Sequence, residues 1–215
     1  MYGERAVTHI APVAVLFAVL LAPLSGIERA VKTAQSPAAQ FFRWPPRSVI
    51  PVWIDPMDAP AEGSRLIELA MKNWTDAAEG RFRLATVGAR DAAAVQVRFL
   101  RAAEGVYGET APRVDPRTSQ IVSARIALNG EMTKDGLDGQ IVLYLTALHE
   151  LGHALGLPHT DDFTTIMYCF QHPDDGVRYF ARYRALVKST EDIGARNSTA
   201  IEARDVQALR HLYDR

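Results

Sequence analysis

The chain has 215 residues, 48% of them hydrophobic and 23% charged, an ordinary globular composition that is long enough to bury one sizeable core. Its 24 basic side chains balance 25 acidic ones, which excludes the broad electropositive field that nucleic-acid binding requires. A single cysteine, Cys169, excludes an internal disulfide and leaves packing and any bound metal to hold the fold.

Arg5 precedes an apolar, uncharged run from Ile10 to Leu24. That is the layout of a signal peptide, and its length is also near the lower limit for a membrane anchor, so residues 1–27 read as one or the other. No small-residue pair marks a cleavage site, since Leu24 stands two before Gly26 and Lys32 two before Ala34. Membrane contact is expected only if this segment stays uncleaved. Residues 28–46, rich in Ala, Gln, Ser and Pro without periodicity, read as a linker, and 47–215 as the folded domain.

Within the domain, Val49 to Ile54 predicts a strand stopped by Asp55-Pro56, with Pro51 calling for an edge or irregular position. Glu62 to Glu79 predicts a helix, with Leu66, Leu69, Ala70, Trp74 and Ala77 at helical spacing and Gly80 at its stop. Ala94 to Leu100 alternates Val95, Val97 and Phe99 with Gln96 and Arg98, a half-buried strand. Val106 to Thr110 reads as a short edge strand, Pro112 to Thr118 as a loop, and Gln120 to Leu128 as a strand closed by Asn129-Gly130. Gly139 to Gly156 carries the best helical pattern, through Ile141, Leu145, Leu148, Leu151 and Leu155. Gln171 to Ser198 is polar and irregular, with one helix over Val177 to Val187, and Ile201 to Tyr213 predicts a closing helix.

The chemistry sits on the best helix. His149, Glu150, His153, Gly156 and His159 form the pattern HExxHxxGxxH. Histidines four apart share one helix face, so both imidazoles reach one zinc at about 2.0 to 2.1 Å. Gly156 permits the sharp turn that returns His159 as a third ligand. Three nitrogens leave one tetrahedral position open, where a water has its pKa lowered toward about 7 and Glu150 is placed to act as general base. Five fixed residues at these offsets arise by chance on the order of 10⁻⁵ per sequence, which outweighs the bland reading of three unrelated surface histidines.

With this motif, and Ile166-Met167-Tyr168 after it, the sequence resembles the metzincin metallopeptidases, whose zinc motif is followed by a methionine turn. The short spacing from His159 to Met167, and Asp205 to Tyr213 as a closing helix, resemble the matrixins in particular. The resemblance implies an α+β fold: a twisted mixed sheet, mostly parallel with one antiparallel edge strand, a zinc-bearing active-site helix and a C-terminal helix. It implies one catalytic zinc, Met167 as a floor beneath the histidines, and endopeptidase action on protein or peptide substrates outside the cytoplasm, secreted or membrane-anchored. Substrate would add to the edge strand at Gly108, Glu109 and Thr110, with Tyr168 lining the specificity pocket. A zinc-containing peptide-binding module without turnover and a zinc exopeptidase are the alternatives.

Several features depart from the family. No cysteine-switch segment precedes the domain, and no histidine lies between His9 and His149 to hold a second, structural zinc. Calcium has no support, because Asp161, Asp162, Asp174 and Asp175 read equally as solvated turn acids. Cys169 reads as a small buried side chain. Substrate, oligomeric state and control are not legible.

Overall fold

The computed structural model describes residues 41–100 and 107–214, so the N-terminal apolar run, most of the expected linker and Val106 lie outside the described residues. Five strands, β1 (Ser48–Ile54), β2 (Phe82–Thr86), β3 (Val95–Leu100), β4 (Gly108–Asp115) and β5 (Gln120–Asn129), form one sheet in the order β2-β1-β3-β5-β4. Every neighbouring pair is parallel except β4 with β5, which is antiparallel and puts β4 at the edge. Four helices accompany the sheet: α1 (Gly63–Ala77), α2 (Gly136–Ala154), α3 (Asp175–Arg184) and α4 (Ala203–Tyr213). The α+β class and the mixed sheet with one antiparallel edge are therefore as expected. No helix among the described residues is long and apolar enough to cross a membrane.

Alternation sets which face of the sheet is covered. Val95, Val97 and Phe99 on β3 and Ala124, Ile126 and Leu128 on β5 are all buried, while Arg98 and Arg125 between them stay exposed. Parallel neighbours need a crossover connection, and α1 supplies it between β1 and β2. α2 is apolar around most of its circumference, so it belongs in the interior, and Leu143, Tyr144 and Leu148 are completely buried there. The two helices are pinned by buried polar contacts as well as by packing. The Trp74 indole donates to the Leu148 carbonyl at 2.9 Å, and the Asn73 amide donates to the Tyr144 hydroxyl at 2.7 Å.

The structure differs from the sequence expectation in four places. β4 runs on to Asp115, so most of Pro112 to Thr118 is strand and not loop; Pro112 is tolerated because an edge strand has no second ladder to lose. β2 was not expected: it has only five residues, and Phe82 and Leu84 are too few apolar positions to declare a period. β1 is an interior strand despite Pro51. Pairing with β3 begins only at Val52, one residue on, and the Pro51 carbonyl still accepts from Ala94 N at 2.9 Å, so the missing N–H falls before that ladder starts. Finally, packing extends N-terminal of Arg47. Trp44 is buried and its indole donates to the Ala154 carbonyl at 2.8 Å, while the Arg43 guanidinium donates to the Leu212 carbonyl at 2.7 Å.

Trp74 joins α1 to the helix that carries the histidine motif, so Trp74→Ala should cost about 3–5 kcal/mol, chiefly from lost apolar burial and the cavity left behind. Urea unfolding with chelator present, to remove any contribution from metal, is the check; a loss below about 1 kcal/mol would show that α1 is not what holds α2.

Candidate metal centre

α2 brings His149, Glu150 and His153 to one end of the helix, and the chain then reverses. Gly156 has φ +97°, and a Cβ there would lie 2.0 Å from the Phe42 carbonyl oxygen, so glycine is required on both counts. Leu157 N donates to Gly152 O at 3.0 Å and Gly156 N to His153 O at 2.9 Å, the paired bonds of a Schellman cap. This reversal carries His159 back over the helix.

The three imidazoles meet at their Nε2 atoms. The separations are 3.1 Å for His149 and His159, 3.1 Å for His149 and His153, and 3.0 Å for His153 and His159. Two ligands of one tetrahedral zinc stand about 3.3 Å apart, so these nitrogens are already near ligand spacing. The tautomers suit a cation too. His149 Nδ1 donates to the Ile166 carbonyl at 2.7 Å and His153 Nδ1 to the Leu157 carbonyl at 2.9 Å, and a carbonyl can only accept. In the neutral rings both Nε2 atoms therefore present lone pairs to the common centre. Among the described residues this triad is the group of three or more such side chains placed to hold a metal ion.

Burial first, and the neighbouring imidazole second, pull His149 down to about 3; the same two causes pull His153 to about 4, and burial lowers His159. All three are neutral at pH 7, the form that ligates.

Met167 is buried beneath this end of α2. A Cβ on Gly152 would come within 2.3 Å of its Sδ, so the missing side chain at 152 is what admits the thioether against α2. Thr160 N donates to Met167 O and Cys169 N to Thr160 O, both at 2.9 Å, which ties the methionine turn to the strand-like segment after His159. Asp205 on α4 accepts from Ile166 N at 3.1 Å and Glu202 N at 2.9 Å; burial lifts its carboxyl to about 6.

Glu150 is buried, and burial raises its carboxyl to about 7, with the nearby Glu109 charge adding and a bond to Thr110 subtracting. The Thr110 hydroxyl lies 2.7 Å from Oε2, and a Cβ on Gly108 would sit 2.8 Å from Cγ. Gly108 and Thr110 therefore face the helix, while Glu109 between them is exposed.

Beside Glu150 opens a cavity of about 240 Å³, walled mainly by Tyr107, Leu145, Tyr168, Phe170, Tyr179 and Phe180 and reaching His149. Tyr168 lies in this wall, its hydroxyl donating to the buried Asp175 carboxylate at 2.7 Å. Sequence reading missed Tyr107, Phe170, Tyr179 and Phe180. Four aromatics on either side of the motif were the available signal, but only folding reveals that they share a cavity. Trp44 and Asp205 were missed as supports for the same reason. Of the four turn acids, Asp175 serves Tyr168, and Asp162 pairs with Arg204 and caps Thr164, so both are engaged by protein groups.

The lowered histidines make metal-free stability depend on pH with a definite sign. Below the ordinary value of 6.5 the unfolded chain takes up these protons, whereas folded His149 and His153 resist them down to about 3 and 4. Their share of the stability is therefore lost as pH falls from 6.5 toward 4, while buried Glu150 and Asp205, raised to about 7 and 6, act in the opposite sense; the check is urea unfolding in chelator, in which wild type should lose more stability over this range than His153→Gln. Equal slopes for the two proteins would mean that His153 titrates normally.

A family model described as Matrixin matches residues 55–180. A macrophage metalloelastase of Oryctolagus cuniculus is 32% identical over 111 residues, covering 47% of this chain and 22% of that protein. A probable matrix metalloproteinase of Invertebrate iridescent virus 3 is 54% identical over 39 residues, covering 18% of this chain and 10% of that protein. The chain thus spans about a fifth or less of the length of these curated relatives. Because the family model covers more than half of the chain and contains the whole histidine triad with its methionine turn, the chain belongs to the matrixin family.

Proposed function

We propose that this chain is a zinc-dependent endopeptidase in which His149, His153 and His159 hold the ion and Glu150 is the general base. The observation that carries this reading is a buried carboxylate next to three imidazoles whose Nε2 atoms converge, at the mouth of an apolar cavity. Zinc, which the family implies, would supply Lewis acidity toward a peptide carbonyl and make a nearby water easier to deprotonate. Glu150, with its carboxyl raised toward neutrality, takes the proton of the attacking water on its carboxylate and returns it to the departing amine. Tyr144, Leu148 and the rest of buried α2 hold that carboxylate on a rigid element, which is what positioning of a base demands.

The substrate in this reading is an extended protein or peptide segment that lies along the edge strand β4 and places one apolar side chain in the cavity. In this reading residues 1–27 serve export and the segment after them, up to the packed Arg43 and Trp44, tethers the domain, so the activity lies outside the cytoplasm.

Incubated with an end-blocked peptide library, the zinc-loaded chain should cut internal bonds, with apolar residues enriched at one position next to the cut. Glu150→Ala should keep one zinc per chain and lose turnover by a factor on the order of 10² to 10⁴. Zinc binding without cleavage by either protein would favour a binding module, and cleavage confined to unblocked ends an exopeptidase.

Base catalysis also fixes the acid side of the pH profile. Glu150 must be ionised, burial sets its carboxyl at about 7, and a bound cation draws it back toward the ordinary 4.5. kcat/KM should accordingly fall with decreasing pH somewhere between about 7 and 4.5, and a rate unchanged down to pH 4 would exclude a buried carboxylate as the base.

A further inference from the structure

The edge strand does more than border the cleft. β4 approaches α2 so closely that Gly108 has no room for a side chain: a Cβ there would be 2.8 Å from Glu150 Cγ, 2.8 Å from Thr146 Cγ2 and 3.1 Å from Glu150 Oε1. Two residues on, along the same face of the strand, the Thr110 hydroxyl stands 2.7 Å from Glu150 Oε2 and 2.9 Å from the Glu150 carbonyl oxygen. The carboxylate is thus bounded by Gly108 at one oxygen and bonded by Thr110 at the other.

We propose that Thr110 is a positioning residue for Glu150, its hydroxyl fixing the carboxylate on the edge strand, and that it is not a contact for substrate. The inference rests on Glu150 being the base.

A hydroxyl suits this position better than a backbone group would. It has one proton and two acceptors in reach, and the ionised carboxylate takes the stronger bond. When Glu150 carries the proton removed from water, that proton sits on the oxygen that Thr110 does not hold, from which it can pass to the amine, and the hydroxyl goes on donating to Oε2. Both protonation states keep a full hydrogen bond with no movement of the side chain, so the acid that follows the base stays in place. The β-branched Thr also has few χ1 options, which limits where its hydroxyl can go.

The test compares zinc-loaded wild type, Thr110→Val, Thr110→Ser and Glu150→Ala on one end-blocked peptide, together with crystal structures of wild type and Thr110→Val. Val preserves the shape and removes the hydroxyl. The expected result is a kcat lower by roughly ten-fold in Thr110→Val with KM changed less than about two-fold, and recovery of most of that loss in Thr110→Ser. The Glu150 carboxylate should lie on Thr110 in wild type and take a different rotamer in Thr110→Val. A wild-type kcat in Thr110→Val, or a raised KM with kcat unchanged, overturns the proposal while an inactive Glu150→Ala leaves the base assignment standing. Full turnover by Glu150→Ala overturns both. A wild-type crystal with Glu150 turned away from Thr110 overturns the proposal whatever the rates.

Discussion

Three imidazole nitrogens within 3.1 Å of one another is an arrangement that neutral protein alone does not favour, and much of this domain exists to enforce it. Lone pairs pointed at one spot repel, and the buried site resists the protons that would relieve the repulsion, so the geometry is poised for a cation. The two helix rings, His149 and His153, are each held from behind by a backbone carbonyl. Those carbonyls are held in turn: Ile166 is fixed through its own N–H by Asp205 on α4, and Leu157 by the cap that ends α2. The result is a chain of hydrogen bonds from the last helix to the histidine cluster. Removing any link leaves a buried polar group unpaired, which is costlier than never having made the bond.

The end of α2 shows how far this bracing reaches. A helix leaves its last carbonyls without intrahelical partners, and here two of them are met by residues from opposite ends of the domain. The Trp44 indole takes Ala154 O, and the Tyr213 hydroxyl takes Leu155 O at 2.9 Å. Both chain ends of the described domain therefore close on the turn that delivers His159. That explains why Trp44 is buried although it sits among prolines in a segment with no period of its own.

The convergence of the three histidines was legible in the sequence and its supports were not, for a physical reason. His149, Glu150, His153 and Gly156 lie within one helix and its cap, where spacing alone determines which side chains share a face. His159 follows within three residues of the turn. By contrast, Thr110 meets Glu150 across forty positions and Asp205 meets Ile166 across thirty-nine, and no local pattern encodes such pairings. The sheet follows the same rule. β3 and β5 have enough alternating apolar positions to declare themselves, whereas five-residue β2 and proline-bearing β4 depend on neighbours to be strands at all.

The cavity wall is the part of the site most open to change. α3, from the polar segment with no strong pattern, brings Tyr179 and Phe180 to the cavity, and several of its anchors are main-chain carbonyls: Tyr179 donates to Thr165 O at 2.8 Å, and Arg182 to Phe163 O and Thr164 O at 3.1 and 2.8 Å. A backbone carbonyl is present whatever side chain occupies the position, so these bonds do not specify the residues beneath the helix, whereas the bonds of Asp175 to Tyr168 and of Arg184 to Asp138 do. Tyr107 meets Phe180 edge to face, with ring centroids 5.4 Å apart, and links that helix to the start of the edge strand. Substitution at Phe180 or Tyr107 can therefore reshape the cavity while the carbonyls that orient His149 and His153 stay where they are. Under the proposed function, recognition of substrate and retention of metal would rest on separate sets of contacts, the aromatic wall for the first and the braced imidazoles for the second.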